Sequence, residues 1–172
     1  MSEWLELAGF MYGDAHDDQG FWYSHQLREI DVLTEQQLYW TPGPKNLPIL
    51  WQVGHIAHRE RTHIGIFLQG LPAQEVIPIE FDVFGPEYTT TSVIKKSIKS
   101  IESVFNWCRS VRKESQAFIA SLQEEDFHKT QKQFGELTVA HWLFITACHT
   151  ALHVGRIQLL RAMIEGTKER AC

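Results

Sequence analysis

The sequence predicts an all-α protein folded as one four-helix bundle, and three observations carry that prediction. Apolar residues recur at three- and four-residue steps over several separate stretches. Proline and glycine punctuate the intervals between those stretches, and strand-like alternation is almost absent. A chain of 172 residues is long enough for one domain with a real core and short for two, so a single domain over 1–172 is expected. It holds no internal repeat, low-complexity tract or long linker.

Residues 2–12 read either as a short helix or as an arm. Residues 17–33 place Tyr23, Leu27, Ile30 and Leu33 on one helical face. Thr34-Glu35-Gln36-Gln37 reads as a capping box opening a short helical turn, which Thr41-Pro42-Gly43-Pro44 stops, since neither proline continues the hydrogen-bond ladder. A second long helix is expected to start near Leu47-Pro48, run to Gln69 and end at Gly70. Residues 71–91 hold three prolines and no helical period, so they form a long connection that permits an antiparallel return or a crossover. Within it, 77–84 alternates like a strand, but Pro78 and its isolation reduce it to an extended loop. Thr91 or Ser92 is expected to cap a third helix through Ile94, Ile98, Ile101, Phe105 and Cys108, ending near Leu122. A fourth is expected from Thr138 to Glu165, closed by Gly166 and buried nearly all round. Lys95, Lys96, Lys99, Arg109, Arg112 and Lys113 read as the solvated face of the third helix.

Composition narrows the function. Hydrophobic residues make up 44% and charged ones 22%, and the net charge is −5, so no basic surface invites nucleic acid. No stretch approaches the roughly 18 uncharged apolar residues of a membrane span, and the acidic opening Met1-Ser2-Glu3-Trp4-Leu5-Glu6 lacks the basic start of a signal peptide. Cys108, Cys148 and Cys172 are odd in number and scattered, as in free thiols of a reducing compartment, so a cytoplasmic location is expected. Nine histidines and six tryptophans are many for this length and suggest a lined pocket.

His149-Thr150-Ala151-Leu152-His153 carries the chemistry. Four residues apart on a helix, two imidazoles lie about 40° apart around the axis and roughly 6 Å apart at Cβ. The inward stripe through Trp142, Thr146, His149, His153, Ile157 and Leu160 takes both into the core. Burying two imidazoles without partners costs free energy, and a metal removes that cost. A third ligand has to come from elsewhere. His55 is a candidate because it shares a stripe with Trp51, Thr62 and Ile66, and Gly54 beside it admits a close approach; His58 and His141 are alternatives, and either of these or Cys148 could add a fourth ligand. On regular helix geometry His58 and His63 are turned 60° and 80° from His55, toward a supporting position or the surface, and Cys148, about 100° round from His149, reads as core packing. His16, His25 and His128 read as solvent-exposed. There is no HExxH glutamate and no paired carboxylate pattern, so neither a zinc protease nor a di-iron bundle fits. Three histidines without a carboxylate make an open, cationic site of the catalytic kind.

These residues resemble the DinB-like superfamily. The resemblance rests on Leu50-Trp51-Gln52-Val53-Gly54-His55-Ile56-Ala57-His58-Arg59-Glu60 and, some ninety positions on, His149-x-x-x-His153-Val154-Gly155-Arg156-Ile157. It implies a four-helix bundle with a crossover between helices two and three, and one divalent metal on His55, His149 and His153, zinc or nickel ahead of iron. Relatives of this kind include thiol-dependent S-transferases, mycothiol-dependent maleylpyruvate isomerase and the N-terminal part of ergothioneine-synthesising sulfoxide synthases. Arg156 stands where glutamine is usual in the family, which bears on the pocket rather than on the ligands.

Three functions follow as expectations. The first is a transferase taking a low-molecular-weight thiol and an electrophile, with metal-activated water giving a hydrolase variant. There His58, Arg59, Tyr88 and Arg156 line or support the pocket, either arginine holding a substrate carboxylate, and Phe81, Phe84 and Tyr88 cover it. The second is a non-catalytic metal-binding or stress-related module closed by a fourth ligand. The third, an iron-dependent oxygen enzyme, ranks last because a chain ending at Cys172 leaves no room for the second domain such enzymes carry. Neither nucleic acid nor membrane is an expected partner; a homodimer is.

Overall fold

A computed structural model of the chain describes residues 3–13, 29–30, 32–130 and 135–169, and among these it is helical with no strand beyond one isolated bridge between Thr130 and Thr138. The opening segment is a helix, α1 (Glu3–Tyr12), not an arm. Trp4 stacks on Phe127, and the buried Tyr12 hydroxyl donates to the Leu143 carbonyl at 2.7 Å, tying α1 to the last helix. Most of the expected 17–33 helix lies outside the described residues; of it, Glu29 and Ile30 are helical. The capping box at Thr34 opens the single turn α2 (Glu35–Leu38) as its spacing predicts, with both halves of the box formed.

The second long helix holds its expected bounds but changes character midway. It is α-helical as α3 (Ile49–Glu60) and then widens into a π-helix over Arg61–Leu68. Gly70, at φ +70°, ends it in the left-handed region that a side chain disfavours. The connection then makes a short turn, α4 (Ala73–Val76), and a 3-10 helix over Ile79–Phe84 where an extended loop was expected. Three residues per turn put Phe81 and Phe84 on one side, and both bury against Trp107, so their three-residue spacing outweighs the alternation.

The third expected helix is two. Thr90, not Thr91 or Ser92, caps α5 (Thr91–Ser97), and the chain turns extended at Ile98. Ser100 then caps α6 (Ile101–Ala120) in a box with Ser103. A serine offering its hydroxyl to a backbone N–H three residues on favours a helix start over a helix interior, which is why an unbroken apolar rhythm still breaks there. After a 3-10 turn at Glu124–His128, α7 (Val139–Glu169) begins under Thr138, whose hydroxyl accepts the His141 N–H at 3.3 Å. It runs through Gly166 rather than stopping there, and its outer side leaves Phe144, Leu152, Leu159 and Met163 exposed rather than buried.

Cross-helix contacts fix the directions. Cys108 reaches the Val53 carbonyl, Arg112 pairs with Glu60 at 2.7 Å, and Glu114 with Arg61 at 2.6 Å. Residue numbers rise together, so α6 runs parallel to α3 and the intervening chain is a crossover. Against α7 they run oppositely, Gln52 meeting His153 and His63 meeting Thr146. Arg112 is therefore not on a solvated face: it is 4% exposed, and the partnering Glu60 is 2% exposed. No helix among the described residues is long and apolar enough to cross a membrane.

Candidate metal centre

The antiparallel packing of α3 on α7 brings His55, His149 and His153 together. Their rings lie 5.0 Å (His55–His149), 4.7 Å (His55–His153) and 4.4 Å (His149–His153) apart, and one nitrogen from each falls within a 4.8 Å cluster. His55 and His153 are wholly buried, whereas His149 is only partly covered, so the cluster is open on that side.

Each of the two buried rings is oriented by an acceptor. His55 Nδ1 lies 2.6 Å from the Phe84 carbonyl, and His153 Nδ1 lies 2.6 Å from Gln52 Oε1. Both partners accept only, so both Nδ1 atoms carry the proton and both Nε2 atoms keep a lone pair. His55 Nε2 is buried with no hydrogen-bond partner, an arrangement that costs free energy unless the lone pair is used. Burial keeps the rings neutral: it pushes His55 down to about 3, His149 to about 4 and His153 to about 2. Neutral imidazoles with the second nitrogen anchored are what a divalent metal ligates, so the donor set fits.

The supporting structure explains the local sequence. A Cβ on Gly54 would stand 2.5 Å from the Phe84 ring, so glycine there lets the crossover press onto α3 and deliver its carbonyl to His55. Trp51 stacks on His55 at 4.2 Å and closes its other face. Glu60, the buried carboxylate of α3, is committed to Arg112 on α6 and leaves the cluster with imidazoles alone.

The sequence model of the DinB superfamily matches residues 24–157. The chain belongs to the DinB superfamily. No curated protein matches this DinB chain.

The remaining sequence-predicted residues of this DinB chain fall in different places. His58 is buried away from the cluster, its ring against Gly85 and its Nε2 3.7 Å from Asp82. His141 is exposed and caps the start of α7 with Thr138. Cys148 is exposed rather than packed in the core. His128 is exposed, as expected, with its ring edge-on to Trp4, while His16 and His25 lie outside the described residues. Tyr88 is 89% exposed on the crossover, beside Asp82 and Val93, and no described contact joins it to the histidines. Phe84 gives its carbonyl to His55 and packs its ring on Gly54, with Phe81 beside it. Arg59, half-buried, and Arg156, exposed, both bear electrostatically on the cluster, each helping to hold His149 and His153 neutral.

His63 takes the supporting position rather than the surface, and lies closer to the cluster than its expected rotation allows. It is buried, its ring 6.4 Å from that of His149, with Nδ1 2.9 Å from the Thr146 hydroxyl. The expected 80° rotation assumed an α-helix throughout. From Arg61 onward the wider π turn advances each residue by less than the α-helical 100°, which swings His63 back toward the face of His55. Gln52 and the Phe84 carbonyl were not singled out from sequence. A glutamine one turn before a candidate ligand histidine on a buried stripe is the signal for the first; a backbone carbonyl leaves none.

Proposed function

We propose that this protein is a divalent-metal-dependent enzyme of the thiol S-transferase type. The observation that carries the reading is a set of three neutral imidazoles, free of carboxylate and open beside His149. A divalent metal held by His55, His149 and His153, zinc or nickel ahead of iron, would keep its full charge there and supply Lewis acidity that lowers the pKa of a bound thiol.

The chain's own residues do the rest. Phe84 and Gln52 keep the ring nitrogens aimed, and Trp51 keeps water off the back of His55. Arg59 and Arg156 supply the recognition. The other described arginines of these two helices are committed, Arg61 to Glu114 and Arg161 to Glu29 and Glu165. Arg59 and Arg156 pair with no acid among the described residues, and a guanidinium in that state at the edge of a cationic site suits a carboxylate on the thiol or on its electrophile.

Elemental analysis of tag-free protein tests the centre: about one metal per chain in the wild type and a large loss in His149→Ala are expected. Metal-loaded protein is then expected to consume a carboxylate-bearing thiol in the presence of an epoxide or haloarene. Absence of stoichiometric metal even after reconstitution removes the metal; metal without turnover across a broad thiol panel removes the transferase.

A further inference from the structure

The proposed function leaves a second polar constellation unused, one turn along α7 from the ligands. Thr146 donates its single hydroxyl proton to the Trp142 carbonyl at 2.8 Å. It therefore meets His63 Nδ1, 2.9 Å away, as an acceptor, and the neutral His63 ring must carry its proton on Nδ1. That leaves Nε2 as a bare lone pair on a buried ring standing edge-on to His149. The same ring lies 5.2 Å from Trp142 and 5.6 Å from Phe67. Trp142 keeps its buried indole N–H without an acceptor. An acceptor and a donor thus sit on rings 5.2 Å apart next to the histidine cluster, with no hydrogen bond to either among the described residues, and a buried donor is costly to leave so.

We propose that His63 Nε2 and Trp142 Nε1 form a subsite beside the metal centre that takes a ligand group able to donate and accept on one side, a primary amide or a hydroxyl. The ligand N–H or O–H donates to His63, and its oxygen accepts from Trp142. Phe67 packs edge to face on Trp142 at 4.9 Å and gives the subsite an apolar wall. The π-helix is what makes this arrangement, because a regular helix would carry His63 away from α7. The subsite rests on the thiol reading only for the choice of probe.

The test compares two thiols of matched shape on zinc-loaded protein: 3-mercaptopropanamide, whose primary amide presents an N–H and an oxygen on one edge, and 3-methyl-1-butanethiol, which has a branched alkyl end in its place. Wild type is expected to prefer the amide-bearing thiol. His63→Ala is expected to reduce that preference about three- to tenfold, the yield of one hydrogen bond, while zinc affinity stays within about threefold, since His63 is not a ligand. His63→Gln, which keeps an acceptor and the approximate volume, is expected to restore part of the preference. Nitrogen NMR of the wild type is expected to show His63 protonated on Nδ1 only. Thr146→Val is expected to abolish that tautomer preference and Thr146→Ser to retain it. A protonated Nε2, an unchanged preference in His63→Ala, or a loss of zinc as large as in His149→Ala overturns the subsite. If neither thiol binds the wild type, the thiol reading falls, and the nitrogen resonances alone decide the assignment of His63.

Discussion

Adding one methyl group at Gly54 tests whether the crossover is clamped onto the histidine cluster. The new Cβ would meet the Phe84 ring at 2.5 Å, and ordinary contact begins near 3.4 Å, so ring or helix has to give by about 1 Å. Phe84 has nowhere to go: it is fully buried, with Phe81 and Trp107 stacked beside it. Overpacking of this kind costs about 1–3 kcal/mol, and alanine returns about 1 kcal/mol of helix propensity over glycine. A net loss of about 1 kcal/mol is expected for Gly54→Ala, which in a domain of this size lowers the melting temperature by roughly 2–4 °C. The sharper readout is metal. The displaced ring carries with it the carbonyl 2.6 Å from His55 Nδ1, and loss of such an anchor lowers metal affinity about 10–100-fold. Thermal melts in chelator and a competitive zinc titration measure both quantities. An unchanged or higher melting temperature together with wild-type zinc affinity would show that Phe84 yields freely, and the clamp would have to be abandoned.

Gln52→Leu keeps the volume but strips the acceptor from His153 Nδ1; zinc affinity is expected to fall about 10–100-fold by competition titration, and wild-type affinity would mean that the anchor is dispensable. Stability of the metal-free protein is expected to fall with acid. His55, His63, His149 and His153 are held near 2–4 when folded and sit near 6.5 when unfolded, so below pH 6.5 the unfolded chain binds more protons. Stability is therefore full above pH 6.5 and is lost as pH falls toward the folded values, by up to about 2 kcal/mol per ring at pH 5. Urea midpoints measured in chelator at pH 7.5, 6 and 5 report this, and a flat series would contradict the burial of neutral rings.

How much of this was legible in the sequence depended on how local the cause was. The capping box at Thr34, the bounds of the second helix and the pairing of His149 with His153 follow from spacings within one turn or two, and the structure keeps all three. The third histidine is different in kind. The stripe through Trp51 makes His55 a candidate, but choosing it over His58 or His141 leans on the resemblance, and the packing of α7 on α3 gathers it with the pair. Arg112 read as a surface cation because its partner, Glu60, lies on another helix and far away in sequence. The sequence leaves His63 between a supporting position and the surface because hydrophobic periodicity carries no mark of an α-to-π change, and an error in turn width accumulates along a helix. The apolar outer side of α7 read as buried because composition alone does not say which side of a helix meets a neighbour.

Two helices joined by a tight turn inherit their alignment from that turn. α3 and α6 run parallel, with the whole crossover between them, and inherit no alignment at all. What sets it is written in charge. Glu60 then Arg61 on one helix face Arg112 and Glu114 on the other, acid before base against base before acid. Slide α6 by one turn and Glu60, sealed from water, loses its cation, a far larger penalty than any loss at the surface. Such a pair contributes little to how strongly the helices hold and much to where they stop. Since the carbonyl that aims His55 arrives on the same crossover, the ion pairs act as a latch. They bear, at a distance from the histidines, on whether the Phe84 carbonyl reaches His55.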